Sequence, residues 1–78
     1  MFYTYVIKSI SFDYYYKGFC EDITKRLEQH NSGSTSSNKK YRPFRLVYFE
    51  TFETKEEAIK REKHFKSAAG RRYLKNKI

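Results

Sequence analysis

Glu62, Arg26, His30 and several tyrosines are the residues of this 78-residue chain whose types and spacing could do chemistry. Glu62 stands four residues after Ala58 and three before Phe65. On a helix it projects from the apolar stripe of Ala58, Ile59, Phe65 and Ala69, not from the solvent face. A carboxylate there is costly unless it is paired or holds a metal ion; a partner such as Arg26, or water at the edge of the stripe, is the plainer alternative. Arg26 and His30 are four residues apart and share a helix face beside Ile23 and Leu27. An arginine can grip a carboxylate or a phosphate through two parallel hydrogen bonds. A histidine can move protons near neutral pH, although one at a helix end also simply serves the helix dipole. Tyr3 and Tyr5 share one side of a strand, as do Tyr14 and Tyr16. A hairpin would bring Tyr5 and Tyr16 together, as a core pair or as two hydroxyls near one spot.

The elements that must position these residues are legible in order. Phe2 to Ser9 is rich in aromatic and β-branched types and reads as a strand. Ser11-Phe12-Asp13 breaks it, and Tyr14 to Phe19 reads as the second arm of a hairpin. Gly18 near its end marks a bulge or a close backbone approach. Asp22 opens a helix as its N-cap, with Ile23, Leu27 and His30 on one face, and Gly33 closes it. Ser34 to Arg42 reads as a mobile polar loop, ended by Pro43. Phe44 to Phe52 is a third strand whose Leu46-Val47-Tyr48-Phe49 run, apolar on both faces, suits a central position. Thr54 and Glu57 form a capping box before a helix from Lys55 to about Ala69, which Gly70 breaks. Arg71 to Ile78 is a short terminal helix or a frayed end. The expected fold is α+β: a three-stranded antiparallel-type sheet flanked by helices in the order β-β-α-β-α-α.

Length and composition bound the possibilities. Residues 1–78 form one domain, and a domain of this size buries only about 60% of the surface of its unfolded chain. With 8 Tyr and 7 Phe, most rings are needed for packing. The net charge of +8 favours polyanionic partners, chiefly nucleic acid. The cations cluster. Lys39, Lys40 and Arg42 lie in the loop, and the last third of the chain holds nine Lys or Arg, Arg61, Lys66, Arg71 and Arg72 among them, against three Glu. These are the expected phosphate-contacting surfaces. Cys20 is the only cysteine, which excludes an intramolecular disulfide, argues against a cysteine zinc site and suits a reducing compartment. No segment approaches the ~20 apolar residues of a membrane span, so the cytoplasm is expected.

At this point the residues resemble a known pattern. Tyr3-Thr4-Tyr5 followed by Val6-Ile7 is similar to the first motif strand of GIY-YIG nucleases, and Tyr16-Lys17-Gly18 resembles the second. Arg26 follows Tyr16 by ten residues, as the family's helix arginine does, and His30 falls where the family often has His or Tyr. Glu57-Ala58 and then Glu62 look like the helix carrying the family's metal-binding glutamate. The segments Lys39 to Phe44, Leu46 to Tyr48 and Lys60 to Lys63 are similar to the short stand-alone bacterial members. The likeness runs from Tyr3 to about Tyr73.

The resemblance implies one divalent ion, Mg²⁺ or Mn²⁺, held by Glu62. It implies a tyrosine, Tyr5 or Tyr16, that activates water against a phosphodiester, with Arg26 stabilising charge on the transferring phosphoryl group and His30 assisting. Gly18 would be the structural glycine of the second motif. Lys17, standing where the family has isoleucine, brings a charge to the site or points into solvent, and Asn76 is a doubtful counterpart of an asparagine found in larger relatives. The implied activity is DNA endonuclease in repair or processing, by a monomer or weak homodimer, with RNA left open as a substrate. The alternative is a module that keeps the fold and basic surface and binds nucleic acid without useful catalysis.

Overall fold

In the computed structural model of the protein, residues 1–33 and 36–78 are described, the side chains of 36 and 37 excepted. The elements are β1 (Phe2–Ser9), β2 (Tyr15–Cys20), α1 (Ile23–Ser32), a kinked 3-10 segment (Ser36–Tyr41), β3 (Phe44–Phe52), α2 (Lys55–Phe65) and α3 (Ala68–Lys75). The strands form one antiparallel sheet in the order β2-β1-β3. This is the expected α+β architecture.

Alternation along β1 builds two cores, one on each face of the sheet. Tyr5 and Ile7 join Cys20 and Phe44 on one face, against Ile23 and Leu27 of α1. Val6 joins Phe65 and Leu74 on the other, beneath α2 and α3. Thr4 points to that second face and donates its hydroxyl to the carbonyl of Ala58 at 2.7 Å, pinning α2 to the sheet. Residues Thr4 to Ile7 are all buried. β1 is therefore the central strand, and the expectation that β3 takes that place is corrected. Helices cover both faces of the sheet, so even an edge strand carries apolar residues on both; at the edge Phe49 stays half exposed.

Both capping expectations hold. The Asp22 side chain accepts from the Lys25 N–H, and Gly33 ends α1 in the left-handed region at φ 84°. Thr54 and Glu57 cap α2 reciprocally. Three boundaries differ. β2 starts at Tyr15, one residue later than expected. The expected loop holds the 3-10 segment, while Ser34 and Thr35 lie outside the described residues. The last helix divides earlier than expected: α2 ends at Phe65, because Ser67 caps a new helix by accepting from the Gly70 N–H at 3.1 Å. Ala69 consequently leaves the apolar stripe and is exposed.

Gly70 therefore does not break a helix. It sits in the first turn of α3, where its bare Cα lies against the His64 carbonyl and the Phe65 backbone, leaving no room for a Cβ. Gly→Ala in a helix interior is ordinarily stabilising by about 1 kcal/mol. Here Gly70→Ala is expected to have the opposite sign, destabilising by about 1–3 kcal/mol as an overpacked contact. In thermal unfolding followed by circular dichroism, Tm should fall by at least about 4 °C; an unchanged or raised Tm would contradict this packing.

Candidate active site

Tyr5 and Gly18 are direct cross-strand partners on β1 and β2. A Cβ built on Gly18 would come within 2.7 Å of the Tyr5 hydroxyl and 3.0 Å of the Tyr16 ring. The glycine thus marks the close approach its place in the strand suggested: it leaves space for two tyrosines. Tyr16 lies diagonally, its ring centroid 6.2 Å from that of Tyr5. Both rings face His30, which the last turn of α1 delivers to the sheet, with the Tyr16 and His30 centroids 4.8 Å apart.

The centre of the cluster is a hydrogen-bonded row. The Tyr5 hydroxyl lies 2.9 Å from His30 Nε2, and the Asn38 amide nitrogen lies 3.3 Å from His30 Nδ1. All three residues are at most 2% exposed. An amide nitrogen can only donate. With the amide nitrogen on that side, Nδ1 is the acceptor, and the Nε2–H tautomer, donating to the Tyr5 oxygen, is the one compatible with both contacts. Asn38 is the residue that sequence reasoning missed. An asparagine in a polar loop carries no signal of its own, and only the kink in the 3-10 segment, at φ −126°, buries it against His30.

Burial sets the protonation states. It is the largest influence on Tyr5 and drives the phenol pKa far up, with Tyr16 and Glu62 adding to the rise and Arg26 opposing it. Tyr5 therefore keeps its proton at neutral pH. Burial likewise pushes His30 below the ordinary imidazole value, with Arg26 reinforcing the shift. His30 is neutral in this site.

The charges of Arg26 and Glu62 both act on the Tyr5 hydroxyl, although α1 and α2 belong to opposite layers. Arg26 also lines a surface cleft of about 430 Å³ with Phe19, Gln29 and Lys55. The Glu62 side chain is 16% exposed and pairs not with Arg26 but with Lys66, one turn further along α2, at 2.9 Å. Lys66 and Arg71 in turn lower the pKa of Lys17, after burial of the lysine itself. Lys17, Lys66 and Arg71 thus form one positive surface beside Glu62. Lys39, Lys40 and Arg42 are exposed on the α1 side of the sheet, and Arg72 is exposed on α3.

Arg61, expected on the phosphate surface, is held in an ion pair. Its guanidinium donates to both oxygens of Glu50, at 2.8 and 3.2 Å, and lies 4.8 Å from the ring centroids of both Phe65 and Tyr73. It ties α2 and α3 to β3. The sequence places Glu50 and Arg61 eleven residues apart on different elements, so nothing local foretells the pair.

Residues 1–76 match the GIY-YIG catalytic domain. The chain belongs to the GIY-YIG family. A UPF0213 protein of Staphylococcus saprophyticus is 44% identical to it over 61 residues, 77% of this chain and 74% of that protein. A UPF0213 protein of Staphylococcus aureus is 41% identical over the same shares. The solution structure of the UPF0213 protein BH0048 from Bacillus halodurans superposes with a TM-score of 0.56 at 31% identity, over 97% of this chain and 84% of that one. Among the described residues no helix is long and apolar enough to cross a membrane.

The row makes a prediction that needs no substrate. ¹⁵N-resolved NMR should find His30 as the Nε2–H tautomer at pH 7, and Asn38→Ala should abolish that preference. Because the folded state holds His30 neutral and the unfolded state does not, stability is full above the ordinary imidazole pKa of about 6.5. It should be lost as pH falls below that value, by at most about 1.4 kcal/mol per pH unit. Urea denaturation between pH 7 and 5 should show this slope, and it should flatten in His30→Asn.

Proposed function

We propose that the protein is a metal-dependent endonuclease that hydrolyses DNA phosphodiester bonds, acting in DNA repair or processing. The observation that carries this reading is the Tyr5 hydroxyl, fixed by His30 while the charges of Arg26 and Glu62 both bear on it. Phosphoryl transfer asks a protein mainly for positioning and charge stabilisation, and this cluster offers both.

The donor set fits a hard divalent ion, Mg²⁺ or Mn²⁺. Among the described residues no three His, Cys, Asp or Glu stand close enough to cage a metal. Glu62 is a single carboxylate, paired among the described residues with the exposed Lys66. Mg²⁺ is commonly held by one or two carboxylates, with waters and substrate phosphate completing its shell. Bound there, the ion would polarise the phosphate and lower the pKa of its coordinated water. The chain's own residues do the rest. His30 holds the Tyr5 oxygen in place, leaving the phenol proton directed away from it. Tyr5, protonated at neutral pH, is a hydrogen-bond and proton donor at rest, and it becomes a base only where a nearby positive charge offsets the effect of its burial. Arg26 supplies a fixed positive charge for the non-bridging phosphate oxygens, and Lys17, Lys66 and Arg71 attract the flanking backbone.

The test is plasmid nicking with Mn²⁺ or Mg²⁺. Glu62→Ala and Arg26→Ala are each expected to lower the rate by about 10²–10³-fold, and Tyr5→Phe should do the same with DNA affinity unchanged. Mutants that cut like the parent would assign the activity to a contaminant. The row's inward orientation and the raised Tyr5 pKa also suit the second reading, a binding module without useful catalysis. A parent that never cuts but binds DNA with a steep salt dependence would favour it.

A further inference from the structure

We infer that the tip of the β1–β2 hairpin is a stacking platform for unpaired nucleic-acid bases, so that the preferred substrate carries a single-stranded segment beside duplex. The inference rests on the nucleic-acid reading above and narrows it to a substrate class.

The tip presents apolar side chains to water on a braced backbone. Ile10 is 60% and Phe12 51% exposed. Neither exposure comes from a loose turn. The Phe12 N–H donates to the buried Ser9 hydroxyl at 3.1 Å, Ser9 N–H to the Tyr14 carbonyl at 2.9 Å, and Ile10 N–H to the Pro43 carbonyl at 3.0 Å. Lys8 Nζ reaches the Phe12 carbonyl at 3.3 Å. A ring held in place this way gives up little freedom when a base stacks on it.

The ring is also the outer end of an aromatic row. Phe12 meets Tyr41 edge-on at 5.5 Å, and Tyr41 stacks on Tyr14 at 3.9 Å with their planes 7° apart. Tyr14 leads to Phe44, and Phe44 to His30. The platform and the candidate active site therefore share one continuous packing row. Cations stand beside it: Lys40 Nζ is 5.1 Å from the Tyr41 ring centroid, and Lys39 and Arg42 are exposed. Asp13, the acid at the tip, repels phosphate, which places the strand's backbone on the Lys40 side. Aromatic faces flanked by cations suit single strands, whose bases are free to stack. A blunt duplex keeps all but its terminal base faces inside and offers this surface chiefly phosphates.

The test is binding without metal, read by fluorescence anisotropy at one fixed salt concentration. The probes are a labelled single-stranded oligonucleotide, a blunt duplex and a duplex with a single-stranded tail. Phe12→Ala is expected to weaken single-strand and tailed-duplex binding about tenfold and to leave blunt-duplex binding unchanged. Phe12→Tyr, which keeps a ring, should bind like the parent and controls for folding. Equal affinity of parent and Phe12→Ala for the single strand, or an equal loss on blunt duplex, would overturn the platform. Because no cleavage is scored, failure of the nuclease reading in the nicking assay leaves this measurement standing, and the reverse also holds.

Discussion

The hydrogen bond between Tyr5 and His30 is the contact on which the arrangement of the site depends. It joins the central strand to the last turn of the first helix, and both of its residues are buried. Tyr5 can extend across the sheet only because position 18, its partner on β2, has no side chain. His30 can receive it only because α1 packs Ile23 and Leu27 on the same face of the sheet. Asn38 then occupies the far side of the imidazole. An unpartnered polar group at this depth would cost on the order of 1–3 kcal/mol, so the three residues are best satisfied together.

That burial has a chemical consequence. The site does not hold a ready phenolate. It holds a neutral phenol whose proton is favoured chiefly by the loss of solvent, with Glu62 adding to that effect and Arg26 opposing it. The phenol therefore stays protonated at neutral pH, and the positive surface of Lys17, Lys66 and Arg71 lies beside Glu62. Lys17, Lys66 and Arg71 repel one another there, and an anion relieves that repulsion.

The opposite layer is organised around Glu50. Its carboxylate accepts from Arg61 and from the Tyr48 hydroxyl, and the arginine rests against Phe65 and Tyr73. This removes one cation from the surface and stiffens the seat of α2. The helix that carries Glu62 is further held by the Thr4 hydroxyl and by the tight Gly70 junction. Holding α2 against the sheet draws on such bracing, because the helix has few buried residues of its own, Ala58 and Phe65.

Much of the fold was legible because its signals are local. Asp22, Gly33 and the Thr54–Glu57 box act within one turn of their own helix, and the alternation of aromatic and β-branched residues marks strands wherever they pair. The candidate site residues Tyr5, Tyr16, Gly18, Arg26, His30 and Glu62 were named from type and spacing together with the family resemblance. The rest depends on residues distant in sequence meeting in space. That β1 and not β3 is central follows from which strand both others pair with. That Asn38 belongs with His30, that Arg61 is held by Glu50 and Glu62 by Lys66, and that Gly70 joins two helices are outcomes of packing between elements. Sequence by itself determined the elements and the chemical types available, since these are set by backbone propensity and side-chain chemistry over a few residues. Only the tertiary structure decided which hydroxyl meets which imidazole and which charges stay free, because hydrogen bonds and burial are assigned when the layers close on one another.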